Sequence, residues 1–155
     1  MASKWNADFL DLVDVLNSER VEYVIVGAFA LAAHGFPRAT GDIDFFVRPS
    51  VENAARVVRA LGKFGAPLTT AGVTEADFAK PGSIYQIGVV PRRIDVISEI
   101  SGVSFDEAIA TRLIRDVDGR PVPFLGREMM IRNKRASARA KDLVDAEVLE
   151  GKKTT

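Results

Sequence analysis

Phe9, Leu10, Leu12, Val13, Val15 and Leu16 recur at helical spacing, so the apolar pattern predicts an amphipathic helix over residues 6–19. The period then changes. Tyr23, Val24, Ile25 and Val26 form a continuous β-rich run, predicting a first strand over 22–26. Gly27 begins a turn into a short helix of small residues, 28–33. His34-Gly35 has the form of a helix end, because glycine suits the left-handed position and histidine the negative end of the helix dipole. A second strand is predicted over 42–48 and is stopped by Pro49. Ser50 is placed to cap a helix over 51–64 whose inner face would be Val51, Ala54, Val57, Val58 and Leu61.

From 65 to 72 the pattern reads as loop. Thr74-Glu75-Ala76-Asp77 has the form of a helix start, predicting a brief turn at 75–80, and Pro81-Gly82 is a turn signal. Two strands follow around Pro91, over 83–90 and 92–97. Ser104-Phe105-Asp106-Glu107 is a capping box opening a helix that reaches Leu113. Asp118-Gly119 lies between apolar runs at 114–117 and 121–125, a hairpin signal weakened by prolines. Two helices, 127–135 and 139–150, close the chain around a softer joint at 136–138. Strands and helices mix without regular βαβ alternation. The expected fold class is α+β, a mixed twisted β-sheet with helices packed largely on one face.

Composition narrows the function classes. The 155 residues make one domain's worth of chain, expected as a single unit over 1–150 with a loose tail at 151–155. The 21 basic and 21 acidic residues cancel, so no global charge draws the chain to nucleic acid or membrane. The absence of cysteine excludes disulfides and thiolate-bound zinc and fits a reducing cytoplasm. The N-terminal residues do not have signal-peptide form, and no apolar run approaches the ~20 residues of a membrane helix. The oligomeric state is not legible.

Candidate chemistry centres on the second strand. Side chains alternate along a strand, so Asp42 and Asp44 share one face while Ile43, Phe45 and Val47 share the other. Paired carboxylates repel unless a positive charge lies between them. A hard divalent cation such as Mg²⁺ takes one or two carboxylates and completes its shell with water and substrate phosphates. The pair, facing a glycine turn, is therefore a seat for a nucleoside triphosphate. Asp95 stands in an apolar strand on the same face as Arg93. It is either the partner of a neighbouring arginine or a third site carboxylate. In the 127–142 segment, six basic residues form a local positive patch in a neutral protein. Arg38 either stands in solvent or pairs with a phosphate or a carboxylate, and Thr40 forms a turn hydrogen bond or joins the site. His34, the single histidine, reads as structural.

The run VGAFALAAHGFPRATGDIDFFV resembles the polymerase-β type of nucleotidyltransferase, with a small-residue turn at a strand end and Asp-x-Asp on the next strand. It looks most like the small bacterial members, which include toxin components of toxin–antitoxin and abortive-infection systems. The segment NKRASARAKDLVDAEVL resembles the closing motif of that group. The resemblance implies the same α+β fold and transfer of NMP from an NTP to an acceptor. It implies that Asp42, Asp44 and Asp95 bind Mg²⁺ or Mn²⁺, with Asp95 completing the site or acting as base. It assigns Gly27, Ala28 and Lys134 to the triphosphate, with Arg38, Thr40 and Lys141 as further candidates. Asp142 and Asp145 would orient Lys134 or fix the helix joint. Ala28 departs from the Gly or Ser of the pattern, leaving only backbone N–H groups there to meet a phosphate. The acceptor is open among RNA such as tRNA, protein, or a small molecule such as an antibiotic. A cognate antitoxin is an implied partner, and a non-catalytic nucleotide-binding or protein-interaction module is the rival reading.

Overall fold

The structure, a computed structural model, describes residues 5–37, 41–89 and 92–151. Arg38 and Thr40 therefore lie outside the described residues, as do Val90, Pro91 and most of the tail. The first helix, α1 (Ala7–Ser18), is capped by Asn6, whose side chain accepts from the Phe9 N–H at 2.9 Å. It leads into β1 (Tyr23–Val26), the short α2 (Ala28–Ala33) and β2 (Ile43–Val47). Helix α3 (Val51–Phe64) starts at the expected Ser50 cap and ends at Gly65 in the left-handed conformation. Val51 is a correction: it is 76% exposed at the first turn, and the buried face of α3 instead includes Asn53 and Ala60.

The 65–72 region holds a one-turn helix, α4 (Leu68–Ala71), where the sequence read as loop. One more turn, α5 (Glu75–Phe78), carries the expected Thr74–Asp77 capping box. Strands β3 (Ile84–Ile87) and β4 (Ile94–Ile97) follow. Helix α6 (Phe105–Ala110) has its Ser104–Glu107 box but stops before Leu113, which starts β5 (Leu113–Val117). β5 and β6 (Arg120–Phe124) make the Asp118-Gly119 hairpin. Pro121 and Pro123 are tolerated in β6 because it pairs with β1 only at Phe124. Their positions share the parity of Leu125, whose N–H donates toward β1 at Ile25 O, so the missing N–H groups fall on that little-used side. Helices α7 (Arg127–Ser137) and α8 (Ala140–Leu149) meet at Ala138, which has φ +57.

The described strands form one six-stranded mixed sheet in the order β3-β4-β2-β1-β6-β5. Tyr23 and Phe45 lie on one face, toward α1, whose Asn17 accepts from the Tyr23 hydroxyl at 2.8 Å. The α1 and α3 layer buries Phe9, Leu12, Leu16, Val57 and Leu61 against this face. On the other face Phe46 meets Phe105 of α6 edge-on, with the Arg48 guanidinium 4.8 Å above the Phe105 ring. Asn53, 1% exposed, stitches the layers together. It accepts from the Glu22 N–H at 2.8 Å and donates to the carbonyls of Glu22 and Arg48 at 3.0 and 3.1 Å.

Candidate active site

Sheet register builds the site. β1 pairs antiparallel with β2, and β2 pairs parallel with β4, so β2 is central and its side chains are shielded from both sides. In that parallel ladder Asp44 stands opposite Asp95, fifty-one positions later in sequence. Directly opposed residues share a face. Val26 opposes Asp44 from the other side, so the two acids project from one level of the sheet beside the end of β1. Asp42 enters the same group from just before β2, where the Ile43 N–H donates to Arg93 O at 3.0 Å and fixes the start of the ladder. The structure thus brings together the three acids expected from sequence.

Gly27 shapes the wall facing them. It follows β1 with φ +72 and ψ −151, a conformation essentially reserved for glycine. A Cβ at this position would fall 2.5 Å from Asp44 Oδ2. The missing side chain therefore lets the bend into α2 close on the carboxylate. Ala28 and Leu31 of α2 continue the wall.

Electrostatics follow from this crowding. Burial pushes the Asp44 carboxyl up to about 7; a hydrogen bond with Asp95 and the charges of Asp95 and Asp42 add to the rise, and Arg93 partly offsets it. Arg93 bridges two of the acids. Its Nε donates to Asp95 Oδ1 at 3.0 Å, while one terminal nitrogen reaches Asp42 Oδ2 at 3.1 Å. Both readings of Asp95 offered by the sequence therefore coexist: it pairs with an arginine and it belongs to the acid group.

The opposite wall comes from the closing helices. Lys134 of α7 lies 3.4 Å from Asp142 and 3.2 Å from Asp145, both carboxylates having side chains only 1% exposed. Asp142 also accepts from Ser137 Oγ at 2.7 Å and Arg139 Nε at 2.6 Å. Burial alone would raise its carboxyl, but Arg139, Ser137 and Lys134 outweigh that and hold it down at about 2. A lysine tied to two buried anions across a helix joint has few positions open to its ammonium group. Here it borders the acid cleft.

The cleft measures about 310 Å³ and is lined by Gly27, Ala28, Leu31, Asp42, Asp44, Arg93, Asp95, Lys134, Arg139, Lys141 and Asp145. That volume lies at the lower end of the range for ligand clefts. Asp142 is not part of the lining; it sits behind Lys134 as an anchor. Arg139 and the Arg93 bridge were not singled out by sequence reasoning. Arg93 had a signal, its shared strand face with Asp95, but its contact with Asp42 depends on the β2–β4 pairing.

The donor set suits a hard cation: three carboxylates on one sheet face, one of them resisting ionisation beside the others. Among the described residues, however, no three acid, histidine or cysteine side chains are already gathered as a metal cage. The Arg93 guanidinium stands between Asp42 and Asp95.

No protein-family model and no curated protein matches the chain. Several solved structures share its fold, two among them as follows. One is the Thermotoga maritima protein TM1012, provisionally assigned as a nucleotidyltransferase, with a TM-score of 0.58 at 17% identity over 92% of this chain and 88% of that one. The other is the lincosamide antibiotic adenylyltransferase LnuA in its lincomycin-bound form, with a TM-score of 0.58 at 12% identity over 96% of this chain and 98% of that one. At these identities the likeness is one of fold.

Proposed function

We propose that the chain is a divalent-metal-dependent nucleotidyltransferase that moves NMP from an NTP to an acceptor and releases pyrophosphate. The observation that carries this reading is the alignment of Asp44 with Asp95 on paired parallel strands, with Asp42 beside them and the Gly27 bend closed against Asp44. Two neighbours of the same fold with nucleotidyl-transfer assignments support it.

Asp42 and Asp44 would hold Mg²⁺ or Mn²⁺, with Asp95 completing the set. When bound, such an ion neutralises triphosphate charge and lowers the pKa of an attacking hydroxyl. The chain's own groups supply the rest. Backbone N–H groups at Gly27 and Ala28 meet phosphate oxygens that no Cβ at position 27 obstructs. Lys134, held by Asp142 and Asp145, presents a fixed positive charge to the phosphates. Asp95 takes the proton of the acceptor hydroxyl as it attacks the α-phosphorus in line, and pyrophosphate leaves toward Lys134.

The acceptor class has two readings. Lys141 and Arg139 at the cleft give a basic rim suited to RNA or to an acidic protein surface. A small molecule is favoured by LnuA, a lincomycin-bound neighbour matched over 98% of its length. The deciding experiment supplies α-labelled NTPs and Mg²⁺ with tRNA, total cell protein or a lincosamide, beside an Asp44→Asn control. Label that depends on Asp44 and appears in one acceptor class supports the reading and names the class. Equal label with the variant overturns it. Growth arrest on expression that requires Asp44 would join the chain to the toxins its motifs resemble.

A further inference from the structure

Arg93 holds a position that the proposed activity does not use. It precedes β4, and its backbone carbonyl is tied to the first residue of β2, so its side chain starts from a fixed point beside the acids. The guanidinium spans two strands' worth of carboxylate. It donates to both oxygens of Asp95, at 3.0 and 3.3 Å, and reaches Asp42 at 3.1 Å. This is the fork geometry that arginine offers and lysine does not. Asp44, the third acid, sits in the same group and shares a hydrogen bond with Asp95.

A metal ion at that position would compete with the guanidinium for the oxygens of Asp42 and Asp95. Carboxylate oxygens already accepting N–H bonds have poor access to a hard ion, and two positive charges a few ångströms apart in a half-buried site repel strongly. Asp42 and Arg93 each keep 29% of the side chain exposed, so the guanidinium has an open path toward solvent. The clustered acids therefore favour a counter-ion in either state of the site, and the guanidinium and a metal ion draw on the same carboxylates.

We infer that Arg93 is a displaceable internal counter-ion: it neutralises Asp42 and Asp95 while the site is metal-free, and a divalent cation must expel its guanidinium to bind. The inference rests on the metal-dependent reading above. It makes Arg93 a positioning residue that holds the acids in place for the ion while weakening the ion's affinity. Metal loading also releases a mobile positive charge at the rim of the cleft.

The test is Mn²⁺ binding by calorimetry at pH 8, without NTP, on wild type, Arg93→Gln and Arg93→Lys. Arg93→Gln is expected to bind Mn²⁺ at least tenfold more tightly than wild type, with Arg93→Lys between them. In the wild type, the arginine Nε–H resonance of Arg93 is expected to move and exchange faster on adding Mg²⁺, a readout that holds even where a variant does not fold. Equal or weaker Mn²⁺ binding by a folded Arg93→Gln, or an Nε–H resonance unmoved by saturating Mg²⁺, would overturn the counter-ion role and leave the metal site standing. Absence of Mn²⁺ binding by both wild type and Arg93→Gln would overturn the metal reading and this inference together.

Discussion

Asp44→Asn should make the metal-free protein more stable while abolishing its activity. The wild-type carboxyl is raised from 3.8 to about 7 by burial and by its acidic neighbours. A native pKa above the unfolded one means that the folded state binds the extra proton between those two values. Stability from this group is therefore full at acid pH and is lost as pH rises toward and through 7. A shift of about three units corresponds to roughly 4 kcal/mol at most. Discounting for solvent on the cleft side leaves about 2–4 kcal/mol. The amide of D44N donates the same hydrogen bond to Asp95 and never ionises. In EDTA at about pH 8 the variant should gain that energy, a rise in Tm of roughly 5–15 °C for a chain of this size. At about pH 3, below the unfolded carboxyl's 3.8, Asp44 is protonated in both states of the wild type and the two proteins should melt together. Saturating Mg²⁺ should reverse the order at pH 8, stabilising the wild type alone. A variant that is less stable at pH 8, or a difference independent of pH, would refute the crowded-carboxylate reasoning.

Other perturbations separate the parts of the site. Gly27→Ala should cost roughly 1–3 kcal/mol from its positive φ, and more from the clash with Asp44, and should weaken NTP binding in calorimetry; an unaltered Tm would show that the bend tolerates a side chain. Lys134→Met should destabilise the fold by about 3–5 kcal/mol in urea unfolding by leaving Asp142 and Asp145 short of a cation, and Lys134→Met with Asp145→Asn should recover much of it. Asp142, held at about 2, stabilises the protein above the ordinary carboxylate range and ceases to as pH falls toward 2, so Asp142→Asn should flatten the acid limb of the unfolding profile. Asn53→Leu should cost about 1–3 kcal/mol in urea unfolding, because the Glu22 N–H loses its acceptor and the carbonyls of Glu22 and Arg48 each lose one of two donors.

Local signals in the chain carried far. The apolar period marked α1 and α3, capping boxes marked α5 and α6, and Asp-x-Asp within an apolar strand marked the site face. These depend on neighbours within a few positions. What stayed hidden depends on partners far along the chain. That Asp95 stands opposite Asp44 is a matter of strand register. The bridge from Arg93 to Asp42 follows from the same register and was invisible without it. Val51 fits the helical period but is the first residue of α3 and stays exposed; Asn53, polar by type, is buried because it satisfies the ends of two strands. The helix expected to reach Leu113 ends early because that residue pairs with Phe124 across the hairpin. Lys134 and its two anchors, Asp142 and Asp145, were legible only through a motif resemblance, whereas the burial of those anchors emerges from the packing of α7 on α8.

The central claim is that the Asp42–Asp44–Asp95 group performs nucleotidyl transfer. Its most direct test is transfer of label from α-³²P NTPs by the purified chain, with Mg²⁺ or Mn²⁺ and a cell extract as acceptor source, beside Asp44→Asn and Asp95→Asn. The account expects label in a discrete acceptor, release of pyrophosphate, and loss of both in either variant although each remains folded. Label that survives in both variants, or NTP and metal binding with no transfer to RNA, protein or small molecule, would contradict it.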